Sequence, residues 1–199
     1  MVPPSILSPV TRHAPLAAAI LGGLRDVEDI FAKQLRSDLP AVNELAQHVE
    51  RYRGKMLRPT LLMLSGIASV GAGDGAPIKK AHRICAAVGE MIHMATLVHD
   101  DVVDDAQMRR GFFSINALWK NKIAVLVGDY MLSKVLLLAV ESGDHDLLQA
   151  VSSAVRSMSE GELLQIEKAR RLDIDESVYY EIIEKKTASL MASCCAVGA

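Results

Sequence analysis

Four carboxylates crowd the segment His99-Asp100-Asp101-Val102-Val103-Asp104-Asp105, at the end of an otherwise apolar stretch. In a helix, Asp100 with Asp104 and Asp101 with Asp105 are like-charge pairs at i and i+4, each destabilising by roughly 0.2–0.5 kcal/mol. Acidic residues near a helix C-terminus also oppose the macrodipole. A bound cation reverses the sign of both effects. The four-residue spacing brings Asp100 and Asp104 from adjacent turns toward one point, and an oxygen-only donor set selects a hard cation. Mg2+ takes one or two protein carboxylates, retains waters and completes its shell with substrate phosphate oxygens. The pattern therefore suits a diphosphate site, although a solvated acidic helix end has the same composition.

Cationic residues flank this cluster. Arg109-Arg110-Gly111 follows Asp104 after a short turn, and Arg53-Gly54-Lys55-Met56-Leu57-Arg58-Pro59 opens an earlier apolar run. Arginine grips phosphate through a planar fork and lysine supplies a mobile point charge, so two diphosphates are able to share one cavity lined by these residues and by metal. His93 precedes Asp100 by two helical turns on the same stripe, with Thr96 between them. Taken singly, such a histidine is commonly a core residue, and Lys185-Lys186-Thr187 reads as an exposed charged pair. A competing reading is a metal phosphohydrolase of the helical HD type, built on His82, His99, Asp100 and Asp129.

Positioning these groups falls to helices. The 199 residues fit a single domain spanning 1–199, with a core large enough to bury about 70% of the unfolded surface. Half the residues are apolar and 4% are aromatic, so the interior is aliphatic, as suits helices rather than a β-sandwich. A formal net charge of −2 leaves no basic field for nucleic acid. Cys85, Cys194 and Cys195 form neither a disulfide framework nor a CxxC metal pair, which suits a reducing, cytoplasmic setting. The apolar run Ile123 to Val140 is broken by Asp129 and Lys134, and is read as no membrane span; no signal peptide is evident.

All seven prolines lie at or before Pro77, which predicts a second half that is helical throughout. A mobile start to Pro15 is expected to lead into helices over 16–35, 40–52 and 57–70. Others are expected near 78–105, 121–142, 145–170 and 174–197. The cluster Gly71-Ala72-Gly73-Asp74-Gly75 lacks the GK[ST] of a phosphate loop and reads as a connection.

Five ordered motifs now stand together: GKMLRP at 54–59, EMIHMATLVHDDVVDDAQMRRG at 90–111, VGDYMLSK at 127–134, EGELLQ at 160–165 and KKTASL at 185–190. Together they resemble the trans-polyprenyl diphosphate synthases over residues 20–199. The family's second Asp-rich motif is absent, so the chain carries about the N-terminal two thirds of the pattern. The resemblance implies an all-α isoprenoid synthase bundle around a deep central cavity, its C-terminal portion missing, in a homodimer. It implies that Asp100 and Asp104 hold Mg2+ with Asp101 supporting them. Lys55, Arg58, His93 and Arg110 would bind isopentenyl diphosphate, while Arg109, Lys186 and Thr187 would hold the allylic prenyl diphosphate. Gln165 would line the same cavity. Asp100, Asp104, Arg109 and Lys186 would thereby carry catalysis of head-to-tail condensation. Small residues at Ala95 and Thr96 imply a medium-to-long product. The alternatives within this reading are a noncatalytic subunit of a heteromeric synthase and a terpene cyclase, which has little use for Lys55, Arg58 and Arg110.

Overall fold

The computed structural model describes residues 14–70, 78–171 and 174–199. Helix α1 (Ala14–Gln34) carries a buried stripe of Ile20, Leu24, Val27 and Phe31, the spacing of one helical face, continued by Leu35 just past its end. Pro40 fixes the first turn of α2 (Pro40–Glu50), where its missing N–H costs nothing. Helix α3 (Leu57–Val70) follows, as its mostly apolar run predicts. The mobile start and the glycine-rich connection expected from sequence lie largely outside the described residues.

Helix α4 (Lys80–Val103) is the central element, buried almost without a break from Cys85 to Ala95. It packs most extensively against α5 (Ile115–Glu141) and also meets α1 and α3. Helix α6 (His145–Arg171) is capped by Asp144, whose carboxylate accepts from the amides of Asp146 and Leu147 at 3.0 Å. Helix α7 (Glu176–Ile183) leads through a π-helical turn, Glu184–Ala188, into α8 (Ser189–Gly198).

Three expectations are corrected. The second half is not helical throughout: strands β1 (Met108–Arg109) and β2 (Phe112–Phe113) form an antiparallel hairpin, with Arg109 opposite Phe112. The two-residue loop needs positive φ at both positions, and Arg110 at +51° and Gly111 at +85° supply it. The expected helix over 174–197 is likewise interrupted by the π turn, which seats against Gly161 of α6. A Cβ there would lie 2.8 Å from Lys185 Cβ and 2.9 Å from the Lys186 nitrogen.

Helix α5 starts at Ile115 instead of 121 because it runs through a kink at Lys120, with φ 73° and ψ 161°. That region is essentially restricted to glycine and costs other residues about 1–3 kcal/mol. Lys120→Gly should therefore stabilise the protein by about 1 kcal/mol after the glycine entropy cost, raising Tm by about 2–4 °C. Calorimetry showing an unchanged or lower Tm would refute the strain.

Candidate functional site

The C-terminal end of α4, the hairpin, the π turn and the segment between α2 and α3 converge. Asp100 lies half-buried in the last turn of α4, and Asp104 is its exposed C-cap. Burial raises the Asp100 carboxyl above the usual range; Glu162 and Asp104 add to this, while Lys186 and Arg109 oppose it. Lys186 forms an ion pair with Glu162 of α6 and reaches Gln165 Oε1 at 3.5 Å. Burial disfavours its ammonium, yet the Glu162 contact and the charges of Asp100 and Asp104 hold its pKa above the ordinary value. A lysine from the π turn thus counters the acid cluster from a different helix.

Asp101 points the other way. It is 1% exposed, and its Oδ1 accepts from Arg109 Nε at 2.9 Å and from a second guanidinium nitrogen. This bond raises the already high pKa of Arg109. The hairpin root is fixed by side-chain bonds that the sequence did not announce. Ser114 Oγ donates to the Ala106 carbonyl at 2.6 Å, while Asn116 Nδ2 donates to the carbonyls of Asp101 and Ala106 at 3.1 Å.

The second pole is cationic. Arg58, in the first turn of α3, has a buried Nε without a hydrogen-bond partner, and burial lowers its pKa. Arg110 donates to the Tyr52 carbonyl. Glu90, 2% exposed on α4, faces the charges of Arg58, Arg110 and Arg53; burial nevertheless raises its carboxyl. His93 is pushed down to about 3 by burial and by Arg58, Arg110 and Arg109, so its imidazole is neutral near neutrality. Lys55 and Thr187 are exposed and make no hydrogen bond or ion pair among the described residues. Lys55 follows Gly54, which abuts Arg110.

The His93 shift has a definite sign. The unfolded imidazole binds a proton below about pH 6.5, whereas the folded one stays neutral to about pH 3. Its contribution therefore makes folding stability fall as pH drops from 6.5 toward 3, by about 1.4 kcal/mol per unit. His93→Gln should flatten the wild-type stability profile over this window in denaturant titrations. Parallel profiles for the two proteins would exclude a buried neutral imidazole.

The mixed histidine and aspartate metal site is not assembled. His99 Nε2 lies 3.4 Å from Asp129 Oδ1, but His82 accepts from the Lys79 amide at the start of α4, roughly 25 Å of helix away. Among the described residues no three potential histidine, cysteine or carboxylate ligands gather at one point. Asp100 and Asp104 by themselves fit a hard cation that draws its other oxygens from water and phosphate. Sequence reasoning missed Glu162 as the partner of Lys186, although it stands in EGELLQ. It also missed His48, Tyr52, Ser114 and Asn116, which carry no local signal.

Comparison with known proteins identifies the family. The polyprenyl synthetase family profile matches residues 39–199. Heptaprenyl diphosphate synthase component 2 of Bacillus subtilis (strain 168) is 37% identical over 180 residues, 88% of this chain and 50% of that protein. Octaprenyl diphosphate synthase of Escherichia coli (strain K12) is 37% identical over 164 residues, 82% of this chain and 49% of that protein. The chain spans about half the length of the curated relatives it matches. The crystal structure of a decaprenyl diphosphate synthase from Rhodobacter capsulatus superposes with a TM-score of 0.82 at 36% identity, covering 94% of this chain and 56% of that one. A polyprenyl synthase from Caulobacter crescentus CB15, complexed with calcium and isoprenyl diphosphate, gives 0.83 at 33% identity, covering 94% and 55%. The family match extends across the acid cluster, the hairpin and the π turn, and the chain belongs to the polyprenyl synthetase family.

Proposed function

We propose that the protein to which these residues belong joins isopentenyl diphosphate head to tail with an allylic prenyl diphosphate: the allylic carbon–oxygen bond breaks to release pyrophosphate, the new carbon–carbon bond forms, and a proton is lost to leave a diphosphate one isoprene unit longer. The observation that carries this reading is the pairing of an acidic pole, Asp100 and Asp104 opposed by Lys186, with a cationic pole of Arg58, Arg110 and the neutral His93, with the charge of Arg109 acting on both Asp100 and His93. Lys55, Arg58, Arg110 and His93 bind the isopentenyl diphosphate, and Arg109, Lys186 and Thr187 orient the allylic one. When bound at Asp100 and Asp104, Mg2+ supplies charge neutralisation for the departing diphosphate. Lys186 stands beside the same acid cluster, where a preformed cation favours charge developing on the leaving group. Residues 1–199 then form part of one isoprenoid synthase domain.

Thr96, one turn before Asp100 on its face and half-buried, is placed to limit product length. Ala95 is fully buried in the core, so a bulky residue there also strains packing. The outward face of α5 exposes Leu118, Val125, Leu126, Leu136, Leu137 and Val140. The helix is long and apolar enough to cross a membrane. A second copy covering this stripe, in a cytoplasmic homodimer, is the reading that fits the charged Asp129 and Lys134 on the same helix.

The test is incorporation of labelled isopentenyl diphosphate by the full-length natural protein with Mg2+ and a set of allylic primers. Thr96→Phe should shift the product distribution to shorter chains. Absence of incorporation with every primer would overturn the assignment, and would favour a noncatalytic subunit if activity appeared only on adding a second chain. A monomer in sedimentation would remove the dimer.

A further inference from the structure

The carbonyl oxygen of Phe113, at the end of the hairpin, is held by two side chains from α2 and the segment after it. His48 Nε2 lies 2.7 Å from it and Tyr52 Oη donates to it at 2.8 Å. Neither donor is a surface group, since Tyr52 is fully buried and His48 nearly so. Their rings are fixed in turn: His48 meets Tyr52 edge-on at 5.3 Å between centroids and Trp119 at 5.1 Å. Tyr52 engages the hairpin a second time, because its own carbonyl accepts from Arg110. Two residues on, a Cβ at Gly54 would lie 2.5 Å from the Arg110 guanidinium, so a larger residue there would push that side chain aside.

The hairpin needs such support. Arg110 is held at φ +51°, in the left-handed region, which is uncommon for a side chain other than asparagine, aspartate or histidine. Two-residue hairpins with strands this short are not stable alone. The exposed side chains of Phe112 and Phe113 contribute little burial. Three sets of contacts tie the hairpin to the bundle: the root, through Ser114 and Asn116, the Asp101–Arg109 bond on β1, and the His48–Tyr52 contacts at its far strand.

We propose that His48 and Tyr52 are positioning residues, a two-donor latch on the Phe113 carbonyl that holds Arg109 and Arg110 in register with Lys55 and Arg58. This rests on the diphosphate-binding reading above and extends it to residues that touch no substrate. The latch bridges the two segments that supply the cationic pole. Its loss lets Arg110 leave the left-handed conformation and separates its guanidinium from Arg58, weakening affinity for a diphosphate held by both.

The test uses Tyr52→Phe, His48→Leu, their combination, and His48→Gln, whose amide retains a donor, all in the full-length protein. The double variant loses both hydrogen bonds to the Phe113 carbonyl, so it should raise amide exchange at 107–114 by about tenfold or more. Exchange within α4 should stay unchanged. The KM for isopentenyl diphosphate should rise about tenfold with kcat within about twofold, and His48→Gln should lie near wild type. Unchanged exchange in the hairpin overturns the latch. A loosened hairpin with unaltered KM overturns the positioning role. If the wild-type protein condenses no prenyl substrate, the enzymatic reading fails separately, and calorimetry with magnesium pyrophosphate decides the latch: weaker binding in the double variant supports it, and equal binding overturns it.

Discussion

Asp100→Ala in the full-length protein should abolish metal-dependent condensation, by at least about a thousandfold in kcat, while leaving the helical content and Tm close to wild type. The kinetic loss follows from taking away one of two carboxylates able to hold the cation. Deleting a single preorganised charge-stabilising contact already costs a hundredfold to a thousandfold in other active sites, and a metal contributes more than one such contact. Stability should survive because Asp100 is half-buried beside Glu162 and Asp104, and burial already disfavours its charged form. Alanine removes repulsion along with the ligand, and it is the better helix former. Circular dichroism and a radiolabel incorporation assay separate the two effects. Near-normal turnover would refute the metal role, and a collapsed fold would show that Asp100 is structural.

The helices were legible because their signals are local. The stripe Ile20, Leu24, Val27, Phe31, Leu35 and the apolar run from Leu57 announce themselves within a few turns, and Pro40 marks a helix start by its own geometry. The acid cluster and the basic segments were legible for the same reason, since charge crowding is visible in sequence. What stayed hidden depends on contacts between distant segments. Arg110-Gly111 forms the hairpin turn although arginine is a poor residue for positive φ, because Tyr52, 58 positions away, accepts from its guanidinium. Glu162 stands in a motif already noted, but its pairing with Lys186 requires α6 and the π turn to touch at Gly161. Lys120 breaks the expected local rule outright, placing a lysine where backbone geometry asks for glycine.

Asp101→Asn should show that adjacent aspartates in one motif do different work. Asp101 is 1% exposed and paired with Arg109, whose side chain is 26% exposed. Asparagine keeps the shape but leaves the guanidinium without its counter-charge. Breaking a buried ion pair from one side costs about 3–5 kcal/mol, and the partial exposure of Arg109 brings this case below that range, to about 2–3 kcal/mol. For a domain of this size that corresponds to a fall in Tm of about 5–10 °C. Asp104→Asn removes an exposed charge that repels Asp100 and should leave Tm unchanged or slightly higher. The pair of variants therefore reverses the order expected from ligand roles: the residue proposed to bind no metal carries the stability, and its neighbour proposed to bind metal carries none. Because the Asp101 bond also orients Arg109 on β1, Asp101→Asn should raise the KM for the allylic substrate as the hairpin loosens. Equal melting temperatures for the two variants in thermal denaturation would show that the Asp101–Arg109 bond does not anchor the hairpin.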